Sequence, residues 1–379
     1  MALRFDRAEL HELTAFVKAE ALRLGFSRAG ITTPEPPPHL EIYEKWLNEG
    51  RHGEMTYLET DRARQRRADP RHILPECESI LVVAANYLPN MQKTERVAAY
   101  AVGDDYHDVL AHRLKQLVSS IEERIGREVK NRYYTDTGPL LERELAQRAG
   151  LGWIGKNTCL ISPDHGSYFF LAEVLLDLPL EPDQPITTDH CGECTLCIEA
   201  CPTNCILPDR TLDATRCISY LTIELKGTIP LELRPLTQDW IFGCDICQQV
   251  CPWNLRFAEP TTDHIFHARP FLSEPSPIDF LRLTPQDYRT ELSKSPLKRA
   301  KRSGLLRNAA VAAGNAGGHA SVPDLERVLA KEEDPVPRAH AAWALGMLGE
   351  LEALRAALES EQDPEVLAEI QLALEGTES

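Results

Sequence analysis

Two cysteine runs about forty residues apart constrain this chain more than any other feature. The first reads Cys191-Gly-Glu-Cys194-Thr-Leu-Cys197-Ile-Glu-Ala-Cys201-Pro202. The second reads Cys244-Asp-Ile-Cys247-Gln-Gln-Val-Cys251-Pro252, with Cys217 upstream of it. Three thiolates two residues apart can wrap one corner of an iron–sulfur cubane, while a fourth, followed by proline, turns away to a neighbouring cluster. This assigns Cys191, Cys194, Cys197 and Cys251 to one [4Fe–4S] cluster, and Cys201, Cys217, Cys244 and Cys247 to another. The crosswise exchange of Cys201 and Cys251 brings the two clusters close together. Zinc is the competing reading, but all-cysteine zinc sites pair C-x2-C units across a longer loop and do not need the C-x3-C-P tail found here twice.

A disulfide framework fits poorly, because eleven cysteines is an odd number. The start, Met1-Ala-Leu-Arg-Phe-Asp-Arg, carries no apolar signal core, so a reducing, cytoplasmic compartment is expected. Cys77 and Cys159 read as small buried residues; Cys205, four residues past Cys201, could compete as a ligand. The most apolar stretch, at 168–178, is short and carries Glu173 and Asp177, which excludes a membrane span. The net charge of −17 argues against a general nucleic-acid coat. It leaves room for local basic groups at Arg62, Arg64, Arg66, Arg67 and Arg71, and at Lys298, Arg299, Lys301, Arg302 and Arg307.

A chain of 379 residues suits three domains: 1–184, 185–260 and 261–379. Residues 1–60 read as helices, at Arg7–Leu24 and Ile42–Leu47. Strands are expected at 79–87, 131–135 and 167–176, with helices at 106–125 and 139–148 and a glycine-rich turn at 150–157. Strands and helices together give an α/β or α+β core, followed by a ferredoxin-like cluster domain. In the tail, His340-Ala-Ala-Trp-Ala-Leu-Gly-Met-Leu-Gly matches Asn308-Ala-Ala-Val-Ala-Ala-Gly-Asn-Ala-Gly at an offset of 32. That pattern predicts HEAT-like helical repeats, which present concave surfaces to large partners. Asp136, at a strand end before Gly138-Pro139, reads either as a proton donor facing a cavity or as a helix cap.

Asp136-Thr-Gly-Pro-Leu-Leu-Glu-Arg, Gly152-Trp-Ile-Gly-Lys-Asn, the doubled cluster motif with its lone Cys217, and Arg307-Asn-Ala-Ala-Val-Ala-Ala-Gly-Asn together resemble the epoxyqueuosine reductases over nearly the whole chain. The resemblance implies reduction of an epoxide in the wobble nucleoside of tRNA by cobalamin and two [4Fe–4S] clusters, with Asp136 as proton donor at a raised pKa. It implies an external electron donor and kinship with cobalamin-dependent reductive dehalogenases. The corrinoid fingerprint D-x-H-x-x-G is incomplete at Asp105-Tyr106-His107, so cobalt is expected to take no histidine from it. Corrin contacts are implied at Arg62, Tyr106, Asp136, Lys156, Asn157 and Ser167 from the core, and at Ser219, Tyr220, Thr222 and Asp245 from the cluster side. Each of these also has an ordinary structural reading. The basic groups and the helical tail are expected to grip an anticodon stem, and a monomer suffices because one chain carries every part. The competing functions are a small-molecule dehalogenase and a non-catalytic electron carrier.

Overall fold

The computed structural model describes residues 5–90 and 96–375. The outermost parts of the expected spans 1–184 and 261–379, at 1–4 and 376–379, lie outside the described residues.

The chain opens with α1 (Arg7–Arg23), started by a reciprocal cap in which the Asp6 carboxylate accepts from the Ala8 and Glu9 amides and Glu9 accepts from the Asp6 amide. Then follow β1 (Arg28–Thr32), α2 (Leu40–Asn48), α3 (Asp61–Ala68), β2 (Ser79–Asn86), α4 (Tyr106–Ile125), β3 (Asn131–Tyr134), α5 (Glu142–Arg148), β4 (Trp153–Ile154), β5 (Leu160–Ile161) and β6 (Phe169–Leu176). Four of these strands form one sheet in the order β1-β2-β6-β3, every pair antiparallel. The core is therefore α+β.

The unbroken apolar run of β2 follows from a sheet covered on both faces. Leu81, Val83 and Ala85 pack with Val17 of α1 and with Leu110 and Leu114 of α4. Ile80, Val82 and Ala84 pack with Leu145 and Ala146 of α5. The alternation carries onto β6, where Ala172, Val174 and Leu176 join the first face and Leu175 the second.

Some expectations need correction. Residues 1–60 are not all helical, because β1 lies within them and pairs with β2. Five residues are too few to show a period, and Gly30 is there for space: a Cβ would stand 2.1 Å from the Ala149 carbonyl oxygen. α5 begins at Glu142, three residues later than expected, because Asp136–Leu141 forms a loop with Asp136 at φ 58°. The glycine-rich turn contains β4, paired with β5.

Four short helices flank the cysteines: α6 (Leu196–Glu199), α7 (Ile218–Ile223), α8 (Ile246–Gln249) and α9 (Pro252–Phe257). This segment is stitched to the core by buried polar bonds. Ser167, just before β6, donates its amide to Asn254 Oδ1 at 2.6 Å, and its hydroxyl accepts from Gln248 Nε2 at 3.0 Å. Asp245 Oδ2 accepts from the Ala99 amide at 2.6 Å.

The tail comprises α10 (Pro277–Leu281), α11 (Pro285–Glu291), α12 (Lys301–Ala316), α13 (Val322–Lys331), α14 (Pro335–Met347), α15 (Leu351–Leu358) and α16 (Pro364–Glu375). Helices α12, α14 and α16 stack side by side, with α13 and α15 against α14 and α16. The repeated glycine has a packing cause. A Cβ at Gly314 would lie 3.1 Å from Ala344 Cα, and one at Gly346 would lie 2.7 Å from Ala373 Cβ. Among the described residues no helix is long and apolar enough to cross a membrane.

Candidate active site and cluster centres

Cys191, Cys194, Cys197 and Cys251 line one cavity of about 170 Å³, together with Lys156 and Asn157. Lys156 Nζ donates to the carbonyls of Gly192 at 2.7 Å and Cys194 at 2.9 Å, which fixes the first cysteine loop. Asn157 is 5% exposed, and its Nδ2 has no partner among the described residues. These two implied corrin contacts therefore stand with the first cysteine set. Among the described residues no three donors converge on a single-ion position. Four thiols around a volume suit a polynuclear cluster, which takes one thiolate per iron.

The second set gathers Cys201, Cys217, Cys244 and Cys247: Cys244 has Cys217 and Cys201 as neighbours, and Cys247 has Cys244 and Cys217. Two further thiols join them. Cys205 Sγ is 3.4 Å from Cys201 Sγ and within bonding reach of Cys217. Cys159 bonds to Cys247, so it is no isolated core residue. Cys77 is buried and donates to the Ser79 carbonyl.

Asp136 sits on the loop between β3 and α5, in the left-handed backbone region that aspartate tolerates better than most residues. Glu142 Oε1 accepts from its amide at 2.6 Å and fixes that conformation. Its carboxylate receives the Tyr106 hydroxyl at 2.8 Å, and His107 Nε2 stands 3.8 Å away. The side chain is 69% accessible, yet protein crowds it at longer range strongly enough to act on its charge. A group both open and crowded lies on the floor of a cleft.

The electrostatics overturn one expectation. Burial pushes the Asp136 carboxyl up, but the bonds from His107 and Tyr106 outweigh it and hold the group below the usual carboxylate range. The proton rests instead on His107. Burial pulls the imidazole down, while bonds to Asp105 and Asp136 push it up to about 9. Asp105 is 1% exposed; its Oδ1 accepts from His107 Nδ1 at 2.7 Å and its Oδ2 from Lys298 Nζ at 2.6 Å.

The cleft lies where core, cluster segment and tail meet. Tyr57 is 52% exposed and shares the surroundings of Asp136, with Arg67, Glu224 and Arg299 about it. The Arg299 guanidinium stands 5.7 Å from the Tyr57 ring centroid and forms a two-pronged pair with Glu224 at 2.8 Å. Sequence reasoning did not select Tyr57, Glu142 or Glu173, and it weighed His107 only as a cobalt ligand in the incomplete fingerprint. A carboxylate inside a buried apolar strand was the available signal for Glu173.

The remaining implied contacts are dispersed. Arg62 is exposed on α3, and Ser219 is half-buried on α7. The Tyr220 hydroxyl accepts from the Glu54 amide at 2.8 Å. Thr222 Oγ1 donates to Ile218 O and accepts from the Gly243 amide. With Ser167 and Asp245, these side chains spend their polar atoms inside the wall. The basic groups are also largely engaged: Arg64 with Glu44, Arg71 with Glu35, and Arg302 with Glu332. Arg307, expected on a basic surface, is 1% exposed and donates to the carbonyls of Leu221, Leu225 and Gly227.

Comparison with known proteins agrees with this architecture. Residues 190–254 match the model of a 4Fe-4S double cluster binding domain, residues 67–137 that of epoxyqueuosine reductase QueG, and residues 297–375 that of HEAT repeats. The epoxyqueuosine reductase of Pseudomonas aeruginosa is 40% identical over 349 residues, covering 89% of this chain and 95% of that one. The Escherichia coli K12 enzyme is 38% identical over 351 residues, covering 89% and 90%. A crystal structure of epoxyqueuosine reductase with an epoxyqueuosine-modified tRNA-Tyr stem loop superposes with a TM-score of 0.88 at 29% identity, covering 97% of this chain and 99% of that one. A Bacillus subtilis structure, described with an aspartate catalytic loop swung out of the active site, gives 0.85 at 30% identity, covering 96% and 98%. On this evidence the chain belongs to the epoxyqueuosine reductase family, oxidoreductases with a double [4Fe–4S] domain.

Proposed function

We propose that the cleft around Asp136 holds cobalamin and the epoxyqueuosine of a tRNA anticodon stem-loop, and that Asp136 delivers a proton to the epoxide oxygen as its C–O bond opens. One observation carries the reading: a carboxylate open to a cleft, crowded by protein, and bonded to both a phenol and an imidazole. When bound, the two clusters supply single electrons and the corrin cobalt gathers the pair that removing an epoxide oxygen requires. The residues present fit such a group. Tyr57 offers an exposed ring, Arg62, Tyr106 and Ser219 lie on the surrounding elements, and His107, committed to Asp105, is no spare cobalt ligand. Ser167, Tyr220, Thr222 and Asp245 act from within the wall, and Lys156 and Asn157 on the first cluster's side.

Asp136 is charged in the open cleft, so it must be loaded before it can donate. A stem-loop seated there excludes water, which raises a carboxyl and draws the His107 proton toward it. Tyr106 holds the carboxylate oriented. Arg62 and the exposed Lys301 are available for phosphate contacts, which make affinity salt-sensitive. We place the enzyme in the cytoplasm as a monomer fed by an external electron donor.

Protein reconstituted with iron and sulfide tests the site. The expected result is one cobalamin bound per chain with a Co(II) electron-paramagnetic signal, and a bound modified stem-loop that bulk RNA lacking the modification displaces poorly. Complete clusters with no cobalamin uptake would overturn the corrin assignment.

A further inference from the structure

Removing an epoxide oxygen as water breaks two C–O bonds, leaves a carbon–carbon double bond, and consumes two electrons and two protons. Asp136, on the reading above, delivers one proton to the oxygen; the second needs a source. Behind Asp136 stands a pair of carboxyl groups that the mechanism has not used. Glu173 lies on β6 opposite Tyr134 of β3, and it is fully buried. Neither of its oxygens has a donor among the described residues. Its neighbour is the carboxyl of Glu142, within hydrogen-bond reach, so a proton must lie between them. Glu142 is half-buried and reaches forward to the Asp136 amide. The three carboxyls thus run from the closed interior through a half-open group to the cleft floor.

We propose that Glu173 and Glu142 share a stored proton, which passes through Glu142 and cleft water to reload Asp136 for the second protonation of each turnover. Two carboxylates in contact in a dry site do not both ionise. Burial and the Asp136 charge push Glu142 up to about 8, and burial with Glu142 pushes Glu173 well above the usual range, so the pair is loaded at neutral pH. Facing it are Asp136 from the loop, Arg143 from α5 and Arg67 from α3, with His107 and Tyr106 of α4 beyond Asp136. The arginines favour release and the Asp136 charge favours retention. Once Asp136 has received a proton, that retaining charge is gone.

Glu142→Gln keeps an acceptor for the Asp136 amide but carries no acidic proton, and Glu173→Gln keeps the buried shape. The expected result for both is kcat lowered at least about tenfold with KM little changed. The wild-type fall in kcat above about pH 8 should be lost with it. A second readout needs neither cofactor nor turnover. Infrared spectra of the wild-type chain should show a protonated carboxyl band at neutral pH that is lost on going to alkaline pH, and that Glu173→Gln lacks. Wild-type kcat and pH profile in both variants, or no such band in the wild type, overturns the proposal. Asp136→Asn separates the two readings: if it is active, the Asp136 assignment fails whatever the band shows. If it is inactive while the glutamate variants are normal, the stored proton alone fails.

Discussion

Asp136 shows how a single side chain is set by its neighbours. Its identity and its place before Gly138-Pro139 were legible in sequence, because a short strand ending in Asp-Thr-Gly-Pro must turn there. The direction of its pKa was not. Sequence suggested a dry carboxyl held high, whereas His107 and Tyr106, brought in by α4, hold it low. No spacing rule connects position 107 to position 136; the sheet does, by laying β3 beside β6 and α4 across its face. If His107 both depresses Asp136 and carries its proton, the wild-type kcat/KM profile falls through about pH 9 as the imidazole loses that proton, and His107→Gln moves this alkaline limb downward in pH and lowers the maximum. A profile whose alkaline limb stays in place shows that the imidazole does not carry the donated proton. Tyr106→Phe, lacking the hydroxyl bond that orients Asp136, lowers kcat and leaves that limb in place.

Among the elements, the tail was the most legible and β1 the least. The match of residues 340–349 to 308–317 marked α12 and α14 as repeats, and its offset pairs Gly314 with Gly346, the positions where helices touch. A five-residue strand with arginine at its start has no such period. What sequence could not show is how the tail docks. His340 is fully buried: its Nδ1 donates to the Val336 carbonyl at 2.7 Å, and its Nε2 accepts from the Ile229 amide at 3.0 Å. Beside it, Arg234 forms a buried two-pronged pair with Glu369 of α16. Burial, with the Arg234 charge, holds His340 neutral at a pKa well below the ordinary value. A depressed histidine contributes stability that is complete above the unfolded pKa, about 6.5, and is lost as pH falls below it. Thermal stability should therefore fall with acid below about pH 6.5 more steeply in the wild type than in His340→Gln. Parallel slopes would show that the ring carries no such linkage.

At the scale of the whole molecule, the three parts are coupled through α12. Asn308 Nδ2 donates to the carbonyls of Thr222 and Ile241, both at 2.7 Å, and Arg307 donates to Leu221, Leu225 and Gly227. These bonds clamp α7, which follows Cys217, and the segment that leads into Cys244. Arg307, read in sequence with the basic groups, is thus, together with Asn308, a brace for the second cysteine set. Because metal and fold are coupled in such loops, Asn308→Ala should lose iron from that set first. Purified variant is expected to hold about half the wild-type iron; full iron content would show that the brace is dispensable. The grouping of the cysteines was legible because their spacing follows the geometry a cubane would impose, whereas the cleft was not, since Tyr57, Asp136, Glu224 and Arg299 meet only when all three parts are in place. The most direct measurement is single turnover of an epoxyqueuosine-bearing stem-loop by the chain loaded with iron, sulfide and cobalamin and supplied with a chemical reductant, followed by mass spectrometry of the nucleoside. The wild type should remove one oxygen atom from the modified base, and Asp136→Asn should bind the stem-loop as well but leave it unchanged. Conversion by Asp136→Asn at the wild-type rate, or none by the fully loaded wild type, would contradict the account.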